Sequence, residues 1–271
     1  MPPRRIFDPN RRPKPMRAGC FMSGSGTNVV KILENQLQKG NSCPYKVVLI
    51  FTDVFDPSNQ RCRAQSISAE HQVTYEYNDI AEFYRLHGRE SKKDLSLRPQ
   101  YDQVTLEMIE KYDLDLIALC GYMSIVTRPL LERYEDRIVN VHPADLSVRA
   151  GDGRKYTGLN AVRDAILAGE KKLHSTTHIV REKVDYGEIL MRSPPVDVIL
   201  PNGATLQDLH KPENAALAKQ IAAEHQARLK EKGDWVIYPK TLEMLGEGRY
   251  AVDGRGNVYV DNVLMPNGFR L

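Results

Sequence analysis

The sequence is short of several features that would narrow its function at once. Its longest unbroken apolar run in a strand-like segment is Val47 to Phe51, far below the roughly 18 residues that a membrane span requires. Cysteine is scarce, with four among 271 residues, and Cys20, Cys43, Cys62 and Cys120 form no C-x-x-C and no paired Cys/His spacing. That spacing supports neither a zinc site nor a redox motif. Cys20 and Cys120 stand in apolar runs as small hydrophobes, so a reducing, cytoplasmic compartment is expected. Charge of one sign is also lacking. A net charge of +3 is not the basic footprint of a nucleic-acid binder, although a local patch can steer an anionic small molecule. Small-molecule substrates are therefore the expected partners, with no nucleic acid and no membrane, and the oligomeric state stays open. Apolar residues at 41% and charged residues at 27% argue against disorder.

Internal repeats and low-complexity linkers are absent too, which favours one continuous domain over two small ones. Residues 1–16 stand apart. Arg4, Arg5, Arg11, Arg12 and Lys14 make them basic, and the weakly apolar Ala18 to Met22 is too short for a secretory h-region. Pro2, Pro3, Pro9, Pro13 and Pro15 forbid the amphipathic helix of a mitochondrial presequence. The expectation is a disordered or draped tail over 1–16, followed by a single domain over 17–271.

What is present is an alternation of strands and helices. A short buried strand over Arg17 to Met22 runs into Ser23-Gly-Ser-Gly-Thr-Asn28, and a helix follows with Val29, Val30, Ile32 and Leu33 on one side and Gly40 as its C-cap. Lys46 to Thr52 is a second strand, rich in β-branched residues, and ends in Asp53. Gln60 to His71 is helix-like, Val73 to Tyr77 a short strand, Pro99 to Lys111 a helix and Asp115 to Cys120 a fully apolar strand that stops at Gly121. Ile138 to Val141 is one further strand beside His142-Pro143. Strands at βα spacing predict an α/β fold whose mostly parallel, Rossmann-like twisted sheet carries helices on both faces. Later, Lys172 to Arg181 and Glu188 to Val196 look like two adjacent strands, and Glu213 to Lys232 like a long helix. Arg249 to Leu264 alternates around Asp253-Gly254 and Arg255-Gly256, the signal of a C-terminal β-hairpin.

Three features carry chemistry. A strand that ends in G-S-G-T-N and opens a helix places backbone N–H groups and a positive helix end around an anion. Gly24 and Gly26 allow close approach, Ser25 lies between them, and Thr27 and Asn28 add donors. Val29 occupies the third glycine position of G-x-G-x-x-G and no Walker lysine is present, so a phosphate monoester is favoured over a pyrophosphate. Asn140 and His142 alternate at a strand end and so share one side. An amide and an imidazole there could polarise a carbonyl and stabilise a tetrahedral oxyanion, although such a pair is also common in structural roles. Third, Val184-Asp185-Tyr186-Gly187 follows the strand bearing His174 and His178. Those two histidines would sit about 13 Å apart on an extended strand, which rules out shared metal ligation. Arg98, before Pro99-Gln-Tyr-Asp102, could bind an anion or be an ordinary exposed helix-end arginine, and Met123, Ile125 and Val126 could line an apolar slot or pack in the core.

In this order and spacing the segments resemble the folate-dependent formyltransferases, in the branch that acts on glycinamide ribonucleotide. The resemblance runs from about Gly19 to the C-terminus, through Gly24 to Asn28, Gly121-Tyr-Met123, Asn140-Val-His142-Pro143, Asp185-Tyr-Gly187 and the terminal stretch Val260 to Gly268. It implies a formyltransferase fold and transfer of a formyl group from 10-formyltetrahydrofolate to the ribonucleotide's primary amine, with no metal. By the resemblance, Asn140, His142 and Asp185 are the catalytic set, and Gly24, Ser25, Gly26, Thr27 and Asn28 hold the phosphate. Arg98 and Glu224 support the acceptor, while Met123, Ser124, Ile125, Val126 and Val184 flank the pteridine.

The chain departs from that pattern in three places. The loop 144–157 is longer and more basic, Ser124 stands where an arginine is usual, and an insert over Gln226 to Val236 separates Glu224-His225 from Tyr238-Pro239. Counting back from Pro239 nominates Asp234 for the role otherwise given to Glu224. The nearest alternative functions are a different amine acceptor or hydrolysis of the formyl donor. A nicotinamide-dependent oxidoreductase, with Asp53 as a ribose-binding acid, is the remote one, and a non-catalytic binding protein would need a broken Asn/His/Asp set.

Overall fold

The computed structural model describes residues 2–12, 14–201 and 203–271; Met1, Pro13 and Asn202, the first two within the expected tail, lie outside the described residues. Eight strands build the main sheet: β1 (Met16–Met22), β2 (Tyr45–Thr52), β3 (Thr74–Tyr77), β4 (Leu116–Leu119), β5 (Ile138–His142), β6 (Thr176–Ile179), β7 (Ile189–Arg192) and β8 (Phe269–Arg270). Their spatial order is β8-β7-β6-β5-β4-β1-β2-β3. The block from β3 to β5 is parallel, while β6 runs antiparallel to both β5 and β7.

Alternation along the strands explains why both faces are covered. Cys20 and Met22 of β1 and Ile50 of β2 enter one apolar cluster, whereas Phe21, Leu49 and Phe51 enter another on the opposite face. A period of two sends neighbours to opposite sides, so strands apolar at every position need helices above and below. Helix α1 (Thr27–Lys39) covers the first face with Val29, Ile32 and Leu33 and ends at Gly40, whose N–H donates to the carbonyls of Gln36 and Leu37. Helix 98–109 covers the second with Leu106 and Ile109.

The chain leaves β1 toward β2 on one side and later returns to β4 on its other side. That reversal opens a crevice beyond the carboxyl ends of β1 and β4, where open α/β sheets bind ligands. On the antiparallel side, α2 (Ala215–Leu229) runs through a π-turn over Lys230–Asp234 into α3 (Trp235–Gly246). The Tyr238 hydroxyl lies 3.1 and 3.0 Å from the carbonyl oxygens of Leu119 and Val139, pinning α3 beneath β4 and β5.

Several elements differ from the sequence expectation. The strand expected over Lys172 to Arg181 is split into Lys172–Leu173 and β6, and that over Glu188 to Val196 into β7 and Val196–Asp197. Ser175 and Ser193 cause the split, because the Ser193 hydroxyl takes the backbone N–H of Ser175 out of the regular ladder at 2.9 Å. The helix expected to end at Lys232 instead continues to Gly246, so residues 226–236 are no separate insert. Short helices over Ile80–Leu86, Arg128–Arg133 and Ala161–Leu167 give little periodic signal in the sequence. Near the N-terminus, Arg4–Arg5 pairs antiparallel with Tyr250–Val252, and Ile6 and Phe7 are buried. Tyr250–Val252 in turn pairs with Val258–Val260 across the Asp253-Gly254 turn. No helix among the described residues is long and apolar enough to cross a membrane.

Candidate active site

A cleft of about 660 Å³ opens at the topological reversal. Its walls come from the loop 23–28, the segment 119–126 after β4, the end of β5, the turn 184–185 and the helical face Gln226, Lys230 and Asp234. The residues brought together therefore include Gly24, Ser25, Gly26, Thr27, Asn28, Met123, Ser124, Ile125, Val126, Asn140, His142, Val184 and Asp185. Arg98 and Glu224 are not among them.

The glycine loop is forced by local sterics. Gly26 has φ +67°, and a Cβ there would lie 2.5 Å from Ile67 Cδ1 and 2.7 Å from Met22 Cε. The left-handed backbone disfavours a side chain there, and a Cβ would also have to displace the buried ends of Ile67 and Met22. No side chain caps α1 and no acidic residue stands in its first turn. Its first N–H groups, which no helix can pair internally, remain open to the cleft. The buried Asn28 leaves its Oδ1 without a partner, and half-buried Lys230 adds a cation to the lining.

At the end of β5, Asn140 and His142 face the cleft from alternate positions. His178 of β6 pairs in register with Asn140. Its Nδ1 lies 2.8 Å from the Ile179 carbonyl and must donate there, so its Nε2 accepts from the Asn140 amide at 3.2 Å. That bond fixes the amide orientation and leaves the second N–H of Asn140 free. Burial pushes the His178 imidazole well below its ordinary pKa, in keeping with the neutral tautomer that this network needs.

His142 is surrounded differently. Its Nε2 lies 3.0 Å from the Tyr156 carbonyl oxygen and its Nδ1 3.6 Å from Asp185 Oδ1. Acceptors at both nitrogens suit an imidazolium, but burial outweighs them and holds the pKa below its usual value. Negative charge arriving in the cleft opposes that burial effect, so the ring gains proton affinity when such charge develops. Asp185 itself is held by the backbone N–H of Gly158 at 2.7 Å and adopts φ +59°. Two residues on, a Cβ at Gly187 would lie 1.8 Å from the Ile179 carbonyl oxygen, so the turn can pack against β6 only as glycine.

The apolar rim is exposed. Met123 is 60% exposed, Val184 51% and Ile125 37%, all around this one opening, while Val126 is buried beneath. Large apolar side chains gathered at a cleft mark a ligand surface rather than core packing. Ser124 does not reach outward. Its hydroxyl donates to Asp53 Oδ2, and Ser23 donates to Asp53 Oδ1 while accepting the Met123 N–H at 2.8 Å. Asp53 thus ties two cleft loops together with both oxygens, which removes it as a ribose hook.

Two sequence assignments are corrected by geometry. Arg98 is 3% exposed and lies between the rings of Tyr84 and Tyr101, donating to the Lys92 carbonyl at 3.2 Å. Glu224 is exposed on α2 and accepts from Gln220, and His225 turns inward to the Ile199 N–H and the Ile221 carbonyl. Asp234, 5% exposed, is the carboxyl that the helix brings to the cleft. It lies within the π-turn, which Gly233 lets press on Ser175, where a Cβ would lie 2.4 Å from Oγ. Burial raises the Asp234 carboxyl to about 6, against hydrogen bonds from Ser175 and Asn28. Lys230, Asp234 and His178 had a legible signal. Residues 226, 230 and 234 recur every fourth position along one helical face, and His178 follows the alternation of its strand.

Comparison with known proteins agrees with this geometry. The model of the Formyl transferase family matches residues 16–225. Phosphoribosylglycinamide formyltransferase of Haemophilus influenzae is 30% identical over 176 residues, covering 65% of this chain and 69% of that protein. Trifunctional purine biosynthetic protein adenosine-3 of Drosophila melanogaster is 33% identical over 135 residues, which is 49% of this chain but only 9% of the longer protein's length. The crystal structure of glycinamide ribonucleotide transformylase 1 from Symbiobacterium toebii superposes with a TM-score of 0.63 at 28% identity, covering 90% of this chain and 93% of that one. With a family match over most of its length and the family's strand, loop and turn segments meeting at one cleft, this chain belongs to the formyl transferase family.

Proposed function

We propose that the protein transfers a formyl group from 10-formyltetrahydrofolate to the primary amine of glycinamide ribonucleotide, a step of de novo purine biosynthesis. The observation that carries this reading is the convergence of Asn140, His142 and Asp185 in a cleft with an open helix N-terminus and an apolar rim. The relatives named for that activity support it.

The N-terminus of α1, with Ser25, Gly26, Thr27 and Asn28, would seat the acceptor's phosphate, and Lys230 would add charge to it. Asp234, which lines the same cleft, would meet the acceptor's amine. Met123, Ile125, Val126 and Val184 would hold the flat ring of the folate, which supplies the formyl carbon and a nitrogen leaving group. The amine nitrogen bonds to the formyl carbon, the carbon's bond to the folate nitrogen breaks, and one proton passes from the amine to that nitrogen. Asn140 would donate its free N–H to the formyl oxygen as charge develops there, and protonated His142, whose two nitrogens face the Tyr156 carbonyl and Asp185, would stabilise that charge through its cation. A donor of this kind contributes about 3 kcal/mol when preorganised. Asp185, next to His142, would relay the proton directly or through a water. This is acyl chemistry between two bound substrates, so it calls for no metal. A reducing, cytoplasmic compartment would keep the four buried thiols free.

Formyl transfer followed spectroscopically, with glycinamide ribonucleotide and its dephosphorylated riboside as acceptors, tests the reading. Turnover with the ribonucleotide and a much higher KM for the riboside are expected. No transfer to either, or thermal stabilisation by NAD but not by a folate analogue, would overturn it. Hydrolysis of the donor by water alone would leave the open helix end and Lys230 without a ligand.

A further inference from the structure

The loop 144–157, in which this chain departs from the formyltransferase pattern, forms a small hairpin of Arg149–Ala150 and Gly153–Arg154. Its second strand lies against the turn that presents Asp185. The Arg154 guanidinium donates through Nη1 to the Asp185 carbonyl and through Nη2 to the Gly187 carbonyl at 2.8 Å. The backbone N–H of Arg154 donates to the Tyr186 hydroxyl at 3.2 Å, and the guanidinium lies 5.8 Å from the Tyr186 ring centroid. One side chain and its own N–H therefore engage all three residues of the turn. The following residues continue the hold: the Tyr156 carbonyl meets His142 Nε2, and the Gly158 N–H meets Asp185 Oδ2.

We propose that Arg154 is a positioning residue, which clasps the Asp185–Gly187 turn and so keeps the Asp185 carboxylate in register with His142. The proposal rests on the function proposed above and adds to it a device carried by this chain's own loop. Asp185 sits in the left-handed region at φ +59°, a conformation that costs a non-glycine residue some strain and that the clasp holds in place. A guanidinium suits the task better than an ammonium, since its planar fork spans two carbonyl oxygens at once.

The clasp also sets charge. The titratable and charged groups facing His142 are Asp185, which favours its cation, and Arg154, which opposes it. His178 faces the same Asp185 and Arg154, with His142 as a further opposing group. Removing the cation at 154 therefore raises the pKa of both imidazoles, whereas lysine keeps the charge and loses the fork.

The test compares wild type, Arg154→Met, Arg154→Lys and the exposed hairpin variant Arg149→Met. Arg154→Met should lower kcat for formyl transfer about 100-fold, the cost of a displacement near 1 Å, with KM for both substrates within about threefold. Histidine resonances followed by NMR titration should show both imidazole pKa values rising in Arg154→Met and unmoved in Arg154→Lys. Arg154→Lys should still lose about tenfold in kcat, and Arg149→Met should stay within twofold of wild type. Wild-type kcat in Arg154→Met with unmoved histidine titrations overturns the clasp. If Arg154→Met does not fold, a wild-type kcat in Arg154→Lys overturns it equally. An inactive wild type refutes the formyl-transfer reading instead, and the titrations still decide whether Arg154 governs the two imidazoles.

Discussion

Gly187→Ala offers a sharp test of how the turn and the chemistry are joined. The added Cβ would lie 1.8 Å from the Ile179 carbonyl oxygen and 2.7 Å from its carbon. Both are backbone atoms of β6, so no side chain can swing aside. Ordinary carbon–oxygen contact is well over 3 Å, so the turn must retreat by roughly 1 Å or more to restore normal packing. That retreat strains the Ile179 N–H to Glu188 carbonyl bond of 2.9 Å and draws Asp185 away from His142. Overpacking of this kind costs about 1 to 3 kcal/mol, and each kcal/mol lowers Tm by about 2 to 4 °C in a chain of this size. A 1 Å misplacement at a reacting constellation costs about 100-fold in kcat. The assay pairs thermal unfolding with steady-state formyl transfer. A lower Tm and a kcat loss near 100-fold, at a KM changed by less than about threefold, are expected. Wild-type Tm and kcat together would refute the close approach, and a lower Tm with full kcat would refute the link from turn to chemistry.

Other perturbations have separate outcomes. Asn140→Ala and His142→Ala should each lower kcat by about 10² to 10³, the loss typical of one oxyanion-stabilising group, while substrate KM values stay within a few-fold in steady-state assays. Asp234 carries a carboxyl raised from 3.8 to about 6, so the folded state binds more protons than the unfolded one between those values and stability falls as pH rises across them. Asp234→Asn should therefore stabilise the protein by up to about 3 kcal/mol at pH 7.5 and by much less at pH 4, read from urea denaturation, while weakening acceptor binding. Equal gains at both pH values would show that the carboxyl is not held protonated. Phe7→Ala, at a ring 6% exposed, should cost about 3 to 5 kcal/mol in the same measurement; no change would mean that this N-terminal segment adds nothing to stability.

Much of the fold was legible because its signals are local. β1, α1, β2, β4 and β5 announce themselves through continuous apolar runs and a capped amphipathic helix, since strands buried on both faces leave no polar alternation. The Asn140/His142 pair could be read because strand geometry alone puts alternate residues on one side. The carboxyl that lines the cleft was harder. Glu224-His225 carries a familiar dipeptide and drew the assignment, yet the helix turns Glu224 to solvent. Asp234 reaches the cleft on the face it shares with Gln226 and Lys230, within a π-turn that Gly233 lets pack against Ser175. Arg98 looked like an anion-binding helix-end residue, and its burial between Tyr84 and Tyr101 depends on a partner helix over Ile80–Leu86 that gives little periodic signal.

By itself, the sequence showed no C-x-x-C or Cys/His metal spacing, no long apolar run and little net charge, and its alternating elements set an α/β sheet with a glycine loop at one strand end. Those properties depend on residue type and short-range period, so they survive in one dimension. Only tertiary structure decided that Asp234 rather than Glu224 lines the cleft, that Asp53 ties two loops together, that His178 bonds Asn140, and that Arg154 bonds the Asp185 turn. Each of these joins residues from separate elements, and hydrogen bonds of about 3 Å between them exist only once the sheet and helices have packed.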